Sequence, residues 1–264
     1  MTLLEAVILG LVQGLTEFLP VSSSGHLELG SVLLGLESKD NLLFSIIVHA
    51  ATALSTIVIF RKDIIELIFG LFKFQWNAET QFSTKILISI IPVGIVGVLF
   101  EDEITALFEG RVILVGMMLI ITALLLTFSS RVKNQTGQVS YLSSIAIGLA
   151  QAIAIMPGIS RSGATISIAL LLKVKREEAA RFSFLMVLIP IIGASLLKLK
   201  DFLTEPQIAE SIPSLSLFGG FIAAFISGLI ACRWMIKIVK EGKLIYFAIY
   251  CFLIGSLAII SQFL

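Results

Sequence analysis

Two short polar stretches interrupt an otherwise apolar chain, and most residues able to do chemistry lie in them. The first, QGLTEFLPVSSSGH at 13–26, holds Gln13, Glu17, Ser22, Ser23, Ser24 and His26. The second, MPGISRSGAT at 156–165, holds Ser160, Arg161, Ser162 and Thr165. A carboxylate, an imidazole, several hydroxyls and a guanidinium are the parts for attack on phosphorus. The arginine fork suits bidentate contact with a phosphate. Pro20 and Gly25 end one helix and free the chain before another. Two helix starts aimed at one point would offer free N–H groups to an anion. Ser23 or Ser24 is expected to cap the first of these helices and Ser162 the second.

Each of these residues has a plainer reading. Arg161 could form a salt bridge to Glu17 that only ties the two stretches together. Glu17 could be a satisfied packing residue, and His26 a helix-capping or interfacial one. Their convergence in two matched interruptions favours a site. His49 reads as a neutral histidine bonded to a neighbouring helix, Glu5 and Glu28 as interfacial, and Glu101 to Glu103 as a solvated outer loop. No GxGxxG, P-loop or HExxH pattern occurs. Cys232 and Cys251 lie in apolar runs without CxxC spacing, which argues against a disulfide or a thiolate metal site.

The elements that must position these groups belong in a bilayer. Of 264 residues 57% are apolar and 14% charged, against about 25% charged in soluble domains, and mean hydropathy is +1.04. About 20 apolar residues cross the hydrocarbon core, and six stretches approach that length: 43–60, 84–100, 112–129, 182–199, 215–236 and 244–264. Residues 3–36 and 141–172 are each too long for one span and too broken for two. Irregular backbone at membrane depth is tolerated only where it lines a cavity, so both read as re-entrant helical hairpins. The opening MTLLEAVILGLVQG has neither a basic n-region nor a cleavage site and reads as mature chain.

Charge tests this topology. Six crossings gather Arg61, Lys62, Lys73, Lys85, Arg131, Lys133, Lys173, Lys175, Arg176, Arg181, Arg233, Lys237, Lys240 and Lys243 on one side. The other side receives Lys39, Arg111, Lys198 and Lys200 with the acidic residues Glu101, Asp102, Glu103 and Glu109. Positive residues stay inside, which places both termini outside. The basic residues are spread along loops as topology requires, so nothing points to nucleic acid.

A shift of 138 residues aligns Gly10 with Gly148, Gln13 with Gln151, Ser22 with Ser160, Ser24-Gly25 with Ser162-Gly163, and Phe44-Ser45 with Phe182-Ser183. Pro20 and Pro157 match one residue out of register. Each half, 1–138 and 139–264, holds one hairpin and three crossings. Three is odd, so the repeats are inverted and the hairpin tips meet within the bilayer. The expected fold is an all-α polytopic membrane protein of six transmembrane helices plus two re-entrant hairpins.

GLVQGLTEFLPVSSSGHL at 10–27 and MPGISRSGATIS at 156–167 resemble the two signature motifs of the undecaprenyl-diphosphate phosphatases of the bacitracin-resistance type. The likeness extends to FRKD at 60–63 and RFSFL at 181–185. It implies a bacterial plasma- or inner-membrane enzyme that hydrolyses undecaprenyl diphosphate to undecaprenyl phosphate. That regenerates the lipid carrier of peptidoglycan synthesis and removes the target of bacitracin. Carried over by position, the family's functional residues fall on Glu17, Ser23, His26, Ser160, Arg161 and Thr165. It also implies a divalent cation, Mg²⁺ or Ca²⁺. Some members have Glu where this chain has Gln13, so Glu17 is the one carboxylate here and the ion would be held mainly by substrate phosphates.

The resulting expectation is a long-chain prenyl diphosphate whose tail stays in lipid while its head enters an outward-opening chamber at the hairpin tips. Arg161, Ser160, Ser162, Thr165, Ser22, Ser24 and Gln13 would bind phosphate, with Glu17 as proton acceptor or cation ligand. Ser23, His26 or water would attack, with Ser23 preferred. The rival is a transporter or flippase of a prenyl phosphate or another anion, since inverted repeats and a midplane anion site serve carriers too. Against it stands the nucleophile-rich SSSGH tip. Prenyl-chain selectivity, oligomeric state and any accompanying flipping leave no mark in the sequence.

Overall fold

The computed structural model describes residues 1–35, 38–100, 103, 104, 107, 111–204 and 213–263, without the side chains of 38–42 and 198–204. Of the outer-side charges, Glu101, Asp102 and Glu109 lie outside the described residues, as do the side chains of Lys39, Lys198 and Lys200.

Helix α1, Leu3–Phe18, starts at a capping box: Glu5 N–H donates to Thr2 Oγ1 at 3.3 Å, and Thr2 N–H donates to Glu5 Oε2 at 2.8 Å. It stops because Leu19, which precedes Pro20, is held extended at φ −70° and ψ 144°. After a four-residue break α2 runs Ser23–Leu34 and ends on left-handed Gly35. The chain continues through α3 (Ser38–Ile59), α4 (Arg61–Phe72), α5 (Ala78–Leu99) and α6 (Val112–Ser130). The second interrupted segment gives α7 (Tyr141–Ile153) and α8 (Arg161–Leu171), followed by α9 (Arg176–Thr204), α10 (Ser214–Glu241) and α11 (Ile245–Ile260). Among the described residues the one β contact is an isolated bridge between Gly137 and Val174.

Four of the expected spans are helices long and apolar enough to cross a bilayer: Ala78–Leu99, Val112–Ser130, Arg176–Leu197 and Ser214–Glu241. Their large apolar side chains, such as Leu87, Ile91, Ile95 and Val98, point outward, which in water would be untenable and in lipid is required. The chain is therefore an all-helical, multi-pass membrane protein. The expected span at 43–60 differs in detail. Its helix meets α4 at a 75° bend, and the two pass as one bent pair. The bend falls where Arg61, Lys62 and Asp63 begin, and Asp63 Oδ1 accepts from Arg181 Nε at 2.6 Å. Arg181 also lies 4.8 Å from the centroid of Phe82, so one guanidinium ties α4, α9 and α5. The FRKD and RFSFL stretches thus meet in space. Helix α11, at 16 residues, is shorter than a full crossing.

The packing runs crosswise between the two halves. Helix α1 lies chiefly against α10, and α7 against α5. Gly10 and Gly148, which a 138-residue shift aligns, each press against backbone: a Cβ on Gly10 would strike the Gly220 carbonyl, and one on Gly148 the Ser89 carbonyl. Phe18, Phe60 and Phe184 cluster where α1, α3 and α9 converge. None of α1, α2, α7 and α8, at 16, 12, 13 and 11 residues, is long enough to cross alone.

Candidate active site

The two breaks are built alike. Ser22 is the N-cap of α2, its Oγ accepting from Gly25 N–H at 3.2 Å. Ser160 is the N-cap of α8, its Oγ accepting from Gly163 N–H at 3.0 Å. In each break the capping hydroxyl stands 3.3 Å from the serine two residues on, Ser24 or Ser162. The capping serines are therefore 22 and 160, not Ser23, Ser24 or Ser162 as the sequence suggested. The physical reason is backbone: Ser22 takes a left-sided φ of 69° and Ser160 an extended ψ of 118°, so the helical dihedrals begin one residue later. Each capping serine satisfies one N–H of its first turn, which leaves others directed toward the break. Both breaks lie along α6. Thr122, one residue past the middle of that helix, accepts from Ser160 N–H at 3.1 Å and donates to the Gly158 carbonyl at 3.3 Å. A Cβ on Gly25 would stand 3.1 Å from Gly158 Cα and 3.2 Å from Val115 Cγ1, so the two breaks and α6 meet at this glycine.

Helical starts at 23 and 161 make Ser23 and Arg161 the first residues of α2 and α8, and both reach Glu17. Ser23 Oγ donates to Glu17 Oε2 at 2.6 Å, and Arg161 Nη2 donates to Oε1 at 2.8 Å. Gln13, one turn earlier on α1, donates Nε2 to Oε2 at 3.0 Å while its own Oε1, buried, has no partner among the described residues. The Glu17 side chain is only 8% exposed, so a paired charge is the way to keep it in an apolar layer. The plain reading of Arg161 as a partner of Glu17 is thus realised. It does not exhaust the guanidinium, whose fork keeps further donors.

The other candidates divide. Thr165 Oγ1 donates to the Arg161 carbonyl at 2.8 Å and stands 2.5 Å from Ser183 Oγ on α9. Ser162 Oγ donates to the Leu19 carbonyl at 3.4 Å, a link from the second break to the first. His26 turns elsewhere: its Nδ1 faces the Ser22 carbonyl at 2.8 Å and its Nε2 faces the Tyr250 hydroxyl at 2.8 Å. A carbonyl only accepts, so Nδ1 carries the proton and Nε2 accepts from Tyr250. The ring stacks on Tyr250 at 5.6 Å. Helix α2 places Ser23 and His26 three residues apart, on neighbouring positions of one face.

Sequence reasoning missed three contributors. His49 was assigned to a neighbouring helix only as a packing bond; its Nδ1 donates to Ser45 O within α3 at 2.7 Å, and its Nε2 lies 3.8 Å from Glu17 Oε2. Tyr250 and Ser183 are the others, and only Ser183 carried a signal, as the repeat partner of Ser45. A small, partly open space of ≈ 20 Å³, about one water's worth, adjoins the Glu17–Arg161 pair and is walled by Phe18, Thr52, Thr56, Gln151, Thr165 and Ser183 among others. No cluster of three or more His, Cys, Asp or Glu side chains suited to a metal occurs among the described residues.

This geometry gathers a held carboxylate, a hydroxyl on it, a guanidinium and two helix starts, which is equipment for phosphoryl chemistry. The comparisons agree. The sequence profile described as Bacitracin resistance protein BacA matches residues 6–257. A protein named undecaprenyl-diphosphatase from Christiangramia forsetii is 55% identical, covering 100% of this chain and 99% of its own. One of the same name from Bacteroides fragilis is 55% identical over 97% of both chains. A more distant one from Halothermothrix orenii is 40% identical over 98% of both. The chain belongs to the bacitracin resistance protein BacA family.

Proposed function

We propose that this chain is an undecaprenyl-diphosphate phosphatase. It hydrolyses the phosphoanhydride of the lipid diphosphate to undecaprenyl phosphate and inorganic phosphate, which recycles the carrier for peptidoglycan synthesis and withdraws the diphosphate that bacitracin binds. The observation that carries the reading is the double hold on Glu17, by Ser23 on Oε2 and Arg161 on Oε1. The names of the full-length relatives support the substrate.

Ser23 is the nucleophile. Its proton already points at Glu17, so as Ser23 Oγ bonds to the terminal phosphorus the proton passes to that carboxylate. The bond from phosphorus to the bridging oxygen breaks and undecaprenyl phosphate departs. Glu17 passes that proton to the departing phosphate and then takes one from the water that attacks the phosphoserine. The bond from phosphorus to Ser23 Oγ breaks, inorganic phosphate leaves, and Glu17 returns the proton to Ser23 Oγ. Arg161 and the first-turn N–H groups of α2 and α8, with Ser22, Ser24 and Ser160 beside them, take up charge on the phosphoryl oxygens, while Ser162 and Thr165 hold the second break through the Leu19 and Arg161 carbonyls. His26, oriented by Tyr250, assists from the same face of α2 as Ser23.

A divalent cation, Mg²⁺ or Ca²⁺, fits this donor set in a limited way. Glu17 and the unpartnered buried Oε1 of Gln13 are hard oxygen donors, too few for a cage and enough for an ion bound chiefly through substrate phosphates. Such an ion would neutralise phosphate charge.

The halves 1–138 and 139–264 are inverted repeats, a reading favoured by the matched caps and the crosswise contacts of α1 and α7. The protein resides in the bacterial cell membrane with both termini outside and the site opening outward, as the loop charges favour. The decisive experiment is phosphate release from a long-chain prenyl diphosphate by purified protein, with and without divalent cation. Failure under both conditions, with the protein folded, would leave the carrier reading in its place.

A further inference from the structure

The repeat pairs Gln13 with Gln151, yet the two amides meet different surroundings. Gln13 has a carboxylate one turn on, at Glu17, and donates to it. Gln151 has Ile155 at the same spacing. It sits in the last turn of α7, 1% exposed, with neither Nε2 nor Oε1 bonded to any partner among the described residues. A buried amide with both ends unmet costs stability, and an apolar side chain would fill the position at no such cost. The side chain is aimed at the small space beside Glu17, Arg161, Ser162 and Thr165.

The hydroxyls along that wall are already engaged: Ser162 donates to Leu19 O at 3.4 Å, and Ser183 meets Thr165 Oγ1, whose own proton goes to a carbonyl. Thr52 donates to His49 O at 2.9 Å, Thr56 to Thr52 O at 3.1 Å, and Thr165 to Arg161 O at 2.8 Å. What remains to donate into the space is the Arg161 fork and the amide of Gln151. The ≈ 20 Å³ available admits one oxygen, not a whole phosphoryl group.

We infer that Gln151 is a substrate-contacting residue, its Nε2 donating to a phosphoryl oxygen that enters the space beside Arg161. This rests on the phosphatase reading of the same site. A neutral amide adds a directed donor there without a second cation to desolvate. The role falls to the second repeat because only there is the carboxylate missing one turn on.

The test uses purified full-length protein with inorganic pyrophosphate as the probe, read by thermal shift, alongside phosphate release from a prenyl diphosphate. Gln151→Met should melt at or above the wild-type temperature, since it removes the unmet amide. Its midpoint for pyrophosphate stabilisation should weaken about tenfold or more. Gln151→Glu, which keeps the shape and faces the phosphate with an anion, should weaken it further, and it serves if Gln151→Met fails to fold. An unchanged pyrophosphate midpoint in Gln151→Met overturns the inference, as does no stabilisation of the wild type. A Gln151→Glu variant that binds pyrophosphate more tightly with divalent cation would make the residue a cation ligand instead, and also overturns it. The two readings fail separately. Wild-type turnover with an unmoved midpoint keeps hydrolysis and removes Gln151. A weakened midpoint without wild-type turnover keeps the contact and removes hydrolysis.

Discussion

Ser23 and Arg161 stand at the same place in two different helices, the first residue after each break, and hold opposite oxygens of Glu17 at 2.6 and 2.8 Å. A shift of 138 residues sets a hydroxyl in one break against a guanidinium in the other. One carboxylate therefore has a proton donor that can become a nucleophile on one side and a phosphate-seeking cation on the other. Arg161→Ala should lower turnover by at least about a hundredfold, the scale of losing a donor to developing charge. Arg161→Lys should recover little of it, because a point charge cannot bind Glu17 and a phosphoryl oxygen as a fork does. Steady-state phosphate release with a melting curve for each variant checks this. Near-normal turnover by Arg161→Ala would reduce the residue to a tie between the breaks.

The proton on Ser23 makes a second prediction. Rapid acid quench during turnover should leave a phosphoryl group on Ser23, detectable in the peptide carrying residues 13–26. Glu17→Gln should form it slowly and clear it slowly, since the same carboxylate takes the proton in both steps. A label on His26 instead would move the nucleophile one turn along α2. The geometry weighs against that, because His26 Nε2 is engaged by Tyr250 and Ser23 Oγ is engaged by the base.

What the sequence revealed and what it hid follow from the range of the interactions. The breaks and the matching of Ser22, Ser24 and Gly25 with Ser160, Ser162 and Gly163 are local and periodic, so composition and a 138-residue shift expose them. Which serine caps was not legible, because three consecutive serines offer the same oxygen and only the dihedrals at 22 choose among them. The bend after Ile59 was hidden for a different reason. The charges Arg61 to Asp63 are visible, but Asp63 finds Arg181 across the fold. Tyr250 reaches His26 over more than two hundred residues, and nothing about a tyrosine in an apolar run announces it. His49 was visible as a histidine within a span, but only the crossing of α1 and α3 sets it beside Glu17.

The two caps should respond differently to the same change. Ser22→Ala and Ser160→Ala each remove an acceptor for a first-turn N–H and should cost about 1 kcal/mol. At position 22, however, φ is 69°, a conformation that penalises any Cβ. Ser22→Gly should therefore be clearly more stable than Ser22→Ala. At 160, where φ is −77°, the Gly variant has no left-handed backbone to relieve and the gap should be smaller. Denaturation in detergent of the four variants measures it, and equal gaps at the two sites would contradict the backbone assigned to Ser22.

The crosswise packing gives the last prediction. Gly10 and Gly148 have no room for a methyl group, because the Gly220 and Ser89 carbonyls occupy the space a Cβ would take. Those carbonyls belong to helices α10 and α5, whose backbones cannot retreat without moving the whole crossing. Gly10→Ala and Gly148→Ala should each cost about 1–3 kcal/mol. Gly94 and Gly97 on α5 and Gly193 on α9 have nothing within 4 Å of an added Cβ. Their Ala variants should be neutral or gain up to about 1 kcal/mol from helix propensity. Activity separates the contacts further. Gly10 lies on α1, which carries Gln13 and Glu17, so displacing α1 shifts the carboxylate away from Ser23 and Arg161. Turnover of Gly10→Ala should fall at temperatures where the protein is still folded, while Gly94→Ala keeps wild-type turnover. Equal tolerance of alanine at 10 and 94 would mean that α1 and α10 do not approach as closely as the glycine contacts require.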